Sequence, residues 1–302
     1  MNDQSVNTPY DDAFRTLLVK CPTIVIPLVN EVFHENYELR ENVKIFHNEF
    51  YVGTKEQRKR ITDSHLGIRN ERYHVECQSS MDGTMTVRVF EYDAQIAVET
   101  AKVGKGKTAF RFPYSALLYL RCSVDTPQSM QVVVQVSDNY ISYEMPILKV
   151  PEYTVDQILE RELYFLIPFH IFAFEKKLEH INTTPHELEG LLQIYTRFSK
   201  TLQQKVKEGR LTEYERQVIR DMTVKVVNSI ACKWANIKKG VGAIMGGEIL
   251  ELEVDKILNR GKAEGLLEGM LALVRDGLLD IAEAAKRTNM TQEEFQRKID
   301  QY

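Results

Sequence analysis

The segment Ile61 to Ser80, ITDSHLGIRNERYHVECQSS, holds two carboxylates at a spacing that could serve a cation. Read as a hairpin with Arg69-Asn70 at its tip, paired residue numbers add to 139, which sets Asp63 across from Glu76. Residues directly opposed on one face keep their Cβ atoms roughly 4.5–5.5 Å apart. Two carboxylates that close repel unless a proton or a cation sits between them. Alternation in the second strand agrees, with Tyr73, Val75 and Cys77 on an apolar face and His74, Glu76 and Gln78 on a polar one. A solvent-facing hairpin carries the same alternation, so spacing alone reads either as an ordinary exposed face or as a metal site. A one-residue slip would turn Asp63 to the other face. His65 and His74 also add to 139 and read as exposed residues near the tip, because no further spaced His or Cys supports zinc.

Two basic clusters lie in sequence on either side of this segment. Lys55, Arg58, Lys59 and Arg60 run straight into it, and Lys102, Lys105, Lys107 and Arg111 surround a glycine-containing loop further on. Each alone reads as a solvated charged loop. Flanking an acidic hairpin, they become candidates for contact with nucleic acid. The whole chain carries a formal net charge of −4, so any such contact must come from a local patch.

The elements that must position these residues fall into two halves. Asp11–Val19 and Thr23–His34 read as helices, with Pro27 weakening the second, and Val43–Tyr51 as a strand. Thr84–Thr100 reads as a helix with Arg88, Tyr92, Gln95 and Glu99 on one stripe. Gln131–Ser137, QVVVQVS, is β-branched and nearly all apolar, which predicts a buried central strand. That order gives a mixed sheet flanked by helices. From Val155 onward helices dominate, and capping boxes are expected at Thr184 with Glu187, Thr212 with Glu215, and Thr291 with Glu294. Gly261, Gly265 and Gly269 fall on one helical face after the apolar stripe Leu250, Val254, Ile257 and Leu258, which reads either as a self-association helix or as one packed on its own domain. Asp280–Ile299 has a helix-turn-helix pattern, but Glu293 and Glu294 open its second helix, so a packing module fits better than a DNA reader.

Composition and missing motifs narrow the function. With 302 residues, 43% hydrophobic and 27% charged, the chain is an ordinary globular one whose length favours two domains over one. Cys21, Cys77, Cys122 and Cys232 have no CxxC spacing, which argues against a zinc finger or disulfide framework and suits a reducing compartment. No charged and apolar leader opens the sequence, and LYFLIPFHIFAF at Leu163 is too short to span a bilayer, so a cytoplasmic location is expected. Phosphate-loop, nucleophile-elbow, HExxH and dinucleotide-binding patterns are absent; VGKGKT at Val103 lacks the first glycine of a phosphate loop.

A hairpin Asp followed by Glu-x-Gln, after one helix and before another, resembles the PD-(D/E)XK nuclease core. More narrowly, DDAFRTL at Asp11, ITDSHL at Ile61, YHVECQSSMDGTMTVRVFEYDAQIA at Tyr73, VPEYTVDQILERELYFLIPF at Val150 and the tail RGKAEGLLEG with DGLLDIAEAAKRTNMTQEEF resemble the Rpn family of recombination-promoting nucleases, often labelled transposases. The resemblance implies a restriction-endonuclease-like α/β domain over residues 1–152, a helical region over 153–246, and a helical tail over 247–302 that supports oligomerisation. It implies a DNA endonuclease dependent on Mg²⁺ or Mn²⁺ and linked to recombination, mobile elements or phage defence. Asp63 and Glu76 would hold the ion, with Gln78 where the wider superfamily usually has lysine, a substitution common in the Rpn family itself. Asp11 would complete the metal shell or merely cap its helix. Arg88, and the basic residues Arg58, Lys59, Arg60, Lys105 and Lys107, would meet DNA; a salt bridge with Glu91 or Glu99 is the other reading of Arg88. A weakly active DNA-binding or assembly protein that keeps the fold, or a strand-transfer enzyme, are the alternatives.

Overall fold

A computed structural model describes residues 8–46, 49–52, 58–61, 64–80, 83–246, 267, 269–276, 279–288 and 290–301. Helix α1 (Pro9–Lys20) starts at a capping box in which Thr8 and Asp11 satisfy each other's backbone amides, with Pro9 at the position that has no use for an N–H. A short 3₁₀ turn, Pro22–Val25, leads into α2 (Ile26–Phe33). There Pro27 falls in the first turn, where its missing donor costs nothing, and the helix ends at His34 in the left-handed region.

Strands follow in the order β1 (Val43–Ile45), β2 (Glu49–Val52), β3 (Arg58–Ile61), β4 (Leu66–Ile68) and β5 (Glu71–Gln78). The single strand expected over Val43–Tyr51 is thus two. β1 pairs with β4, and β2 pairs with β3 as a separate ribbon. Paired numbers add to 111 in the first ladder and 110 in the second, so the two registers differ by one residue. β4 and β5 form the expected hairpin in the expected register, from Leu66↔Tyr73 to Ile68↔Glu71, with Arg69 left-handed at the tip.

Helix α3 (Met85–Glu99) crosses from β5 towards the parallel strand β8 (Tyr114–Tyr119), after a small exposed hairpin of β6 (Lys102–Gly104) and β7 (Lys107–Ala109). The chain then makes β9 (Ser129–Val136) and β10 (Asn139–Lys149). The result is a six-stranded mixed sheet in the order β1-β4-β5-β8-β10-β9. Gln131–Ser137 therefore runs along the sheet's edge instead of its centre, and most of it is exposed. Composition misled because an apolar run reads as buried on both faces, whereas here β5 and β8 are the central pair and β10 lies between β8 and β9.

Helices dominate from Val155 on: α4 (Val155–Glu160), a buried 3₁₀ helix over Tyr164–Lys177, then α5 (Leu178–Thr183), α6 (Pro185–Lys207), α7 (Glu213–Ile230) and α8 (Ala235–Met245). Capping boxes form at Thr154 and Thr212, but Thr184 makes no cap and instead lies 3.4 Å from His180 Nδ1. One hydrophobic core joins the Tyr73, Val75 and Cys77 face of the sheet to Phe14, Leu17, Phe165, Phe169, Phe198 and Val226. Residues on both sides of position 152 thus share one core. The helices of 153–246 cover one face of the sheet and share its core, because a sheet face must be buried against another layer. The compact unit extends over Met1–Gly247.

Glu248–Tyr302 is a second unit, described by itself. Helices Ile281–Arg287 and Gln292–Gln301 pack Ala284, Ala285 and Phe295 with Leu271 into a small core, and Thr291 and Glu294 form the expected capping box. Leu250, Val254, Ile257, Leu258, Gly261 and Gly265 lie outside the described residues. Among the described residues no single helix is long and apolar enough to cross a membrane.

Candidate functional site

The polar face of β5 is the chemically distinctive place in the fold. Strand alternation sends Tyr73, Val75 and Cys77 into the large core and leaves Arg72, His74, Glu76 and Gln78 on the opposite face. α3 packs on that same side: its Met85 and Val89 form a second apolar cluster with Leu117, Tyr119, Val132, Met145 and Ile147. His74 and Glu76 are therefore buried, and so is His65, although both histidines were expected to be exposed. The polar face of the hairpin is real, but it is roofed rather than solvated.

Burial obliges these groups to pair. His74 Nδ1 lies 2.7 Å from Asp93 Oδ1, and its Nε2 lies 2.9 Å from Glu76 Oε1. Ser115 Oγ donates to Asp93 Oδ1 at 2.7 Å, and the Tyr143 hydroxyl donates to Oδ2 at 3.2 Å. Strands β5, β8 and β10 and helix α3 each contribute to one network. Burial pushes the His74 pKa down, but hydrogen bonds and attraction from Asp93 and Glu76 outweigh it and raise the value to about 10. His74 is thus an imidazolium at neutral pH, donating from both nitrogens. The same surroundings push the Tyr143 hydroxyl up, by burial first and then by Asp93.

Glu76 consequently has one oxygen fixed by a cation that is itself fixed by a second carboxylate. This is an oriented carboxylate at the middle of a sheet, with Gln78 half-buried two residues on along the same face. Asp63, the carboxylate expected opposite Glu76, lies outside the described residues. Its neighbour Ser64 keeps the register of the hairpin: the Ser64 hydroxyl accepts from the Val75 amide and donates to the Val75 carbonyl, both at 2.7 Å, and the two numbers add to 139. His65 is buried beside the Phe46 ring, and Arg72 stacks over the other reach of that ring, 3.4 Å from its centre.

The remaining sequence-derived candidates are dispersed. Asp11 is engaged in the capping box of α1, whose buried face joins the core on the opposite side of the sheet from Glu76. Arg88 stands in the second turn of α3, half-buried, with Nη2 3.6 Å from the Met85 sulfur and Nε buried without a hydrogen-bond partner among the described residues. Arg58, Lys59 and Arg60 lie on β3 of the separate ribbon, so that run is a strand and not a loop. Lys105 occupies the exposed turn of the β6–β7 hairpin and Lys107 opens β7, while Arg111 is paired with Glu71 at 2.5 Å.

Sequence reading missed Asp93, Ser115 and Tyr143. Asp93 had a signal: it falls four residues after Val89 and three before Ile96, on the buried face of α3, where the helical period calls for an apolar side chain. Ser115 and Tyr143 had none, because only the parallel pairing of β5 with β8 and the position of β10 bring them close.

Among the described residues no group of three His, Cys, Asp or Glu side chains is arranged to hold a metal ion. The donor chemistry nevertheless suits a hard divalent cation more than zinc: Glu76 and Gln78 offer oxygen, while both nitrogens of His74 face carboxylates. In comparison with known proteins, no family model, curated protein or solved structure matches the chain.

Proposed function

We propose that the chain is a divalent-metal-dependent DNA endonuclease with a PD-(D/E)XK type of core. The observation that carries this reading is Glu76, fixed by His74 on the strand before α3. Support also comes from the element order: helices, antiparallel strands, a crossing helix and a parallel strand.

Asp63 and Glu76 are the residues that would hold Mg²⁺ or Mn²⁺, with Gln78 beside them. The cation, when bound, polarises the scissile phosphate and lowers the pKa of an attacking water. The protein's own contribution is positioning. His74 holds the Glu76 carboxylate in one orientation through Nε2, and Asp93, Ser115 and Tyr143 hold His74 from behind. Gln78 can orient water through its amide but brings no positive charge to the developing phosphorane, which slows turnover relative to a lysine at that position. Arg88, whose buried Nε has no partner among the described residues, and the basic residues of β3 and of the β6–β7 hairpin are the groups proposed to meet backbone phosphates.

Supercoiled plasmid incubated with the full chain and Mg²⁺ tests this, with Asp63→Ala and Glu76→Ala alongside. Nicking by the wild type alone supports the reading, and equal nicking by all three sinks it. The neutral Gln78 favours a second reading, a DNA-binding protein without turnover, which predicts plasmid retardation without metal and no nicking.

A further inference from the structure

β9 sits where its composition does not belong. β10 occupies one side of it, and among the described residues no strand occupies the other. Soluble proteins protect such edges with lysines, prolines, bulges or brevity. Ser129–Val136 has no charge and no proline, and its ladder runs unbroken from Ser129↔Pro146 to Val136↔Asn139. Val133 and Val136 are 58% and 55% exposed. An apolar edge without charge, proline or bulge is a template for another strand.

The sequence identifies which strand fits. Residues 129–137 read Ser-Met-Gln-Val-Val-Val-Gln-Val-Ser, and the order of chemical types is the same in both directions about Val133. In an antiparallel pairing of two copies centred on Val133, Met130 faces the partner's Val136 and Gln131 faces the partner's Gln135, while Ser129 reaches the left-handed turn at the partner's Ser137. Val132 then faces the partner's Val134, and Val133 faces the partner's Val133. Apolar meets apolar, amide meets amide, and no ionised side chain opposes its like. The match also extends the core. Val132 belongs to the apolar cluster under α3, with Met130 and Val134 packed against it, so the pairing carries that layer across the axis and covers Val136.

We propose that β9 pairs with β9 of a second copy about a two-fold axis through Val133, joining two six-stranded sheets into one. Such an interface is isologous and closes at two copies. The axis stands perpendicular to the sheet, so both His74–Glu76 faces look the same way. Seven inter-strand steps separate one β5 from the other, roughly 34 Å before twist. Resting on the nuclease reading, that is about one turn of duplex DNA.

Sedimentation velocity of the full chain over a concentration series tests the pairing independently of any cleavage. The wild type and Val133→Thr are expected to be dimers. Val133→Lys sets two cations face to face on the axis and should weaken dimerisation roughly tenfold or more, with an unchanged far-UV spectrum. Should that variant misfold, the double variants decide. Gln131→Lys with Gln135→Glu puts opposite charges across the axis and should stay dimeric, while Gln131→Lys with Gln135→Lys should not. A monomeric wild type, or a dimer that survives both lysine variants as it would if the C-terminal helices held it, overturns the proposal.

Discussion

His74 Nδ1 lies 2.7 Å from Asp93 Oδ1, and this contact ties the centre of the sheet to the helix that covers it. Both side chains are fully buried, so neither can turn to water if the other is lost. Asp93→Ala leaves an imidazolium with a single carboxylate and should cost about 3–5 kcal/mol. Urea denaturation measures this, and a loss below about 1 kcal/mol would mean that the pair carries no charge.

Two histidines set opposite pH slopes. The folded-state pKa of His74 is raised from 6.5 to about 10, so its contribution is complete below pH 6.5 and is lost as pH rises towards 10. Burial pushes His170, packed near Phe174 and Phe198, down to about 4. Its preference for the neutral form contributes above pH 6.5 and is lost as pH falls through 4. From these two residues stability should peak near pH 6.5. Melting temperature against pH should show the alkaline limb flattened in His74→Gln and the acid limb flattened in His170→Phe. Unchanged limbs would contradict the assignment.

Ser64 substitutes for a backbone partner. Its hydroxyl satisfies both polar groups of Val75, so Ser64→Ala leaves a buried amide and carbonyl without that partner. The expected loss is about 1–3 kcal/mol. Hydrogen exchange at the Val75 amide should accelerate in step with it; an unchanged exchange rate would show another group takes over.

Gln78→Lys should raise single-turnover plasmid cleavage roughly tenfold or more, because a cation then faces the developing phosphorane charge. A slower variant would show that the amide itself is required.

Much of the central hairpin was legible because strand period and turn chemistry are local. Arg69-Asn70 at the tip and a register adding to 139 follow from the sequence, and the described pairs have them. Burial was not legible there. Nothing within Tyr73–Gln78 says that α3 will roof its polar face, so His74 read as exposed. Asp93 showed itself only as an acid on an apolar helical stripe, and Tyr143 depends on a strand distant in sequence. β9 failed in the other direction: an apolar run predicts two covered faces, but says nothing of whether its edge is the sheet's own centre or an open rim.

The proposed cleavage requires Glu76 as an oriented metal ligand. A crystal of the full chain soaked in Mn²⁺ and measured at the manganese edge addresses this most directly. One anomalous peak is expected within coordination distance of Glu76 and Asp63, absent in Glu76→Gln. A well-ordered Glu76 with no peak beside it at saturating Mn²⁺ would contradict it.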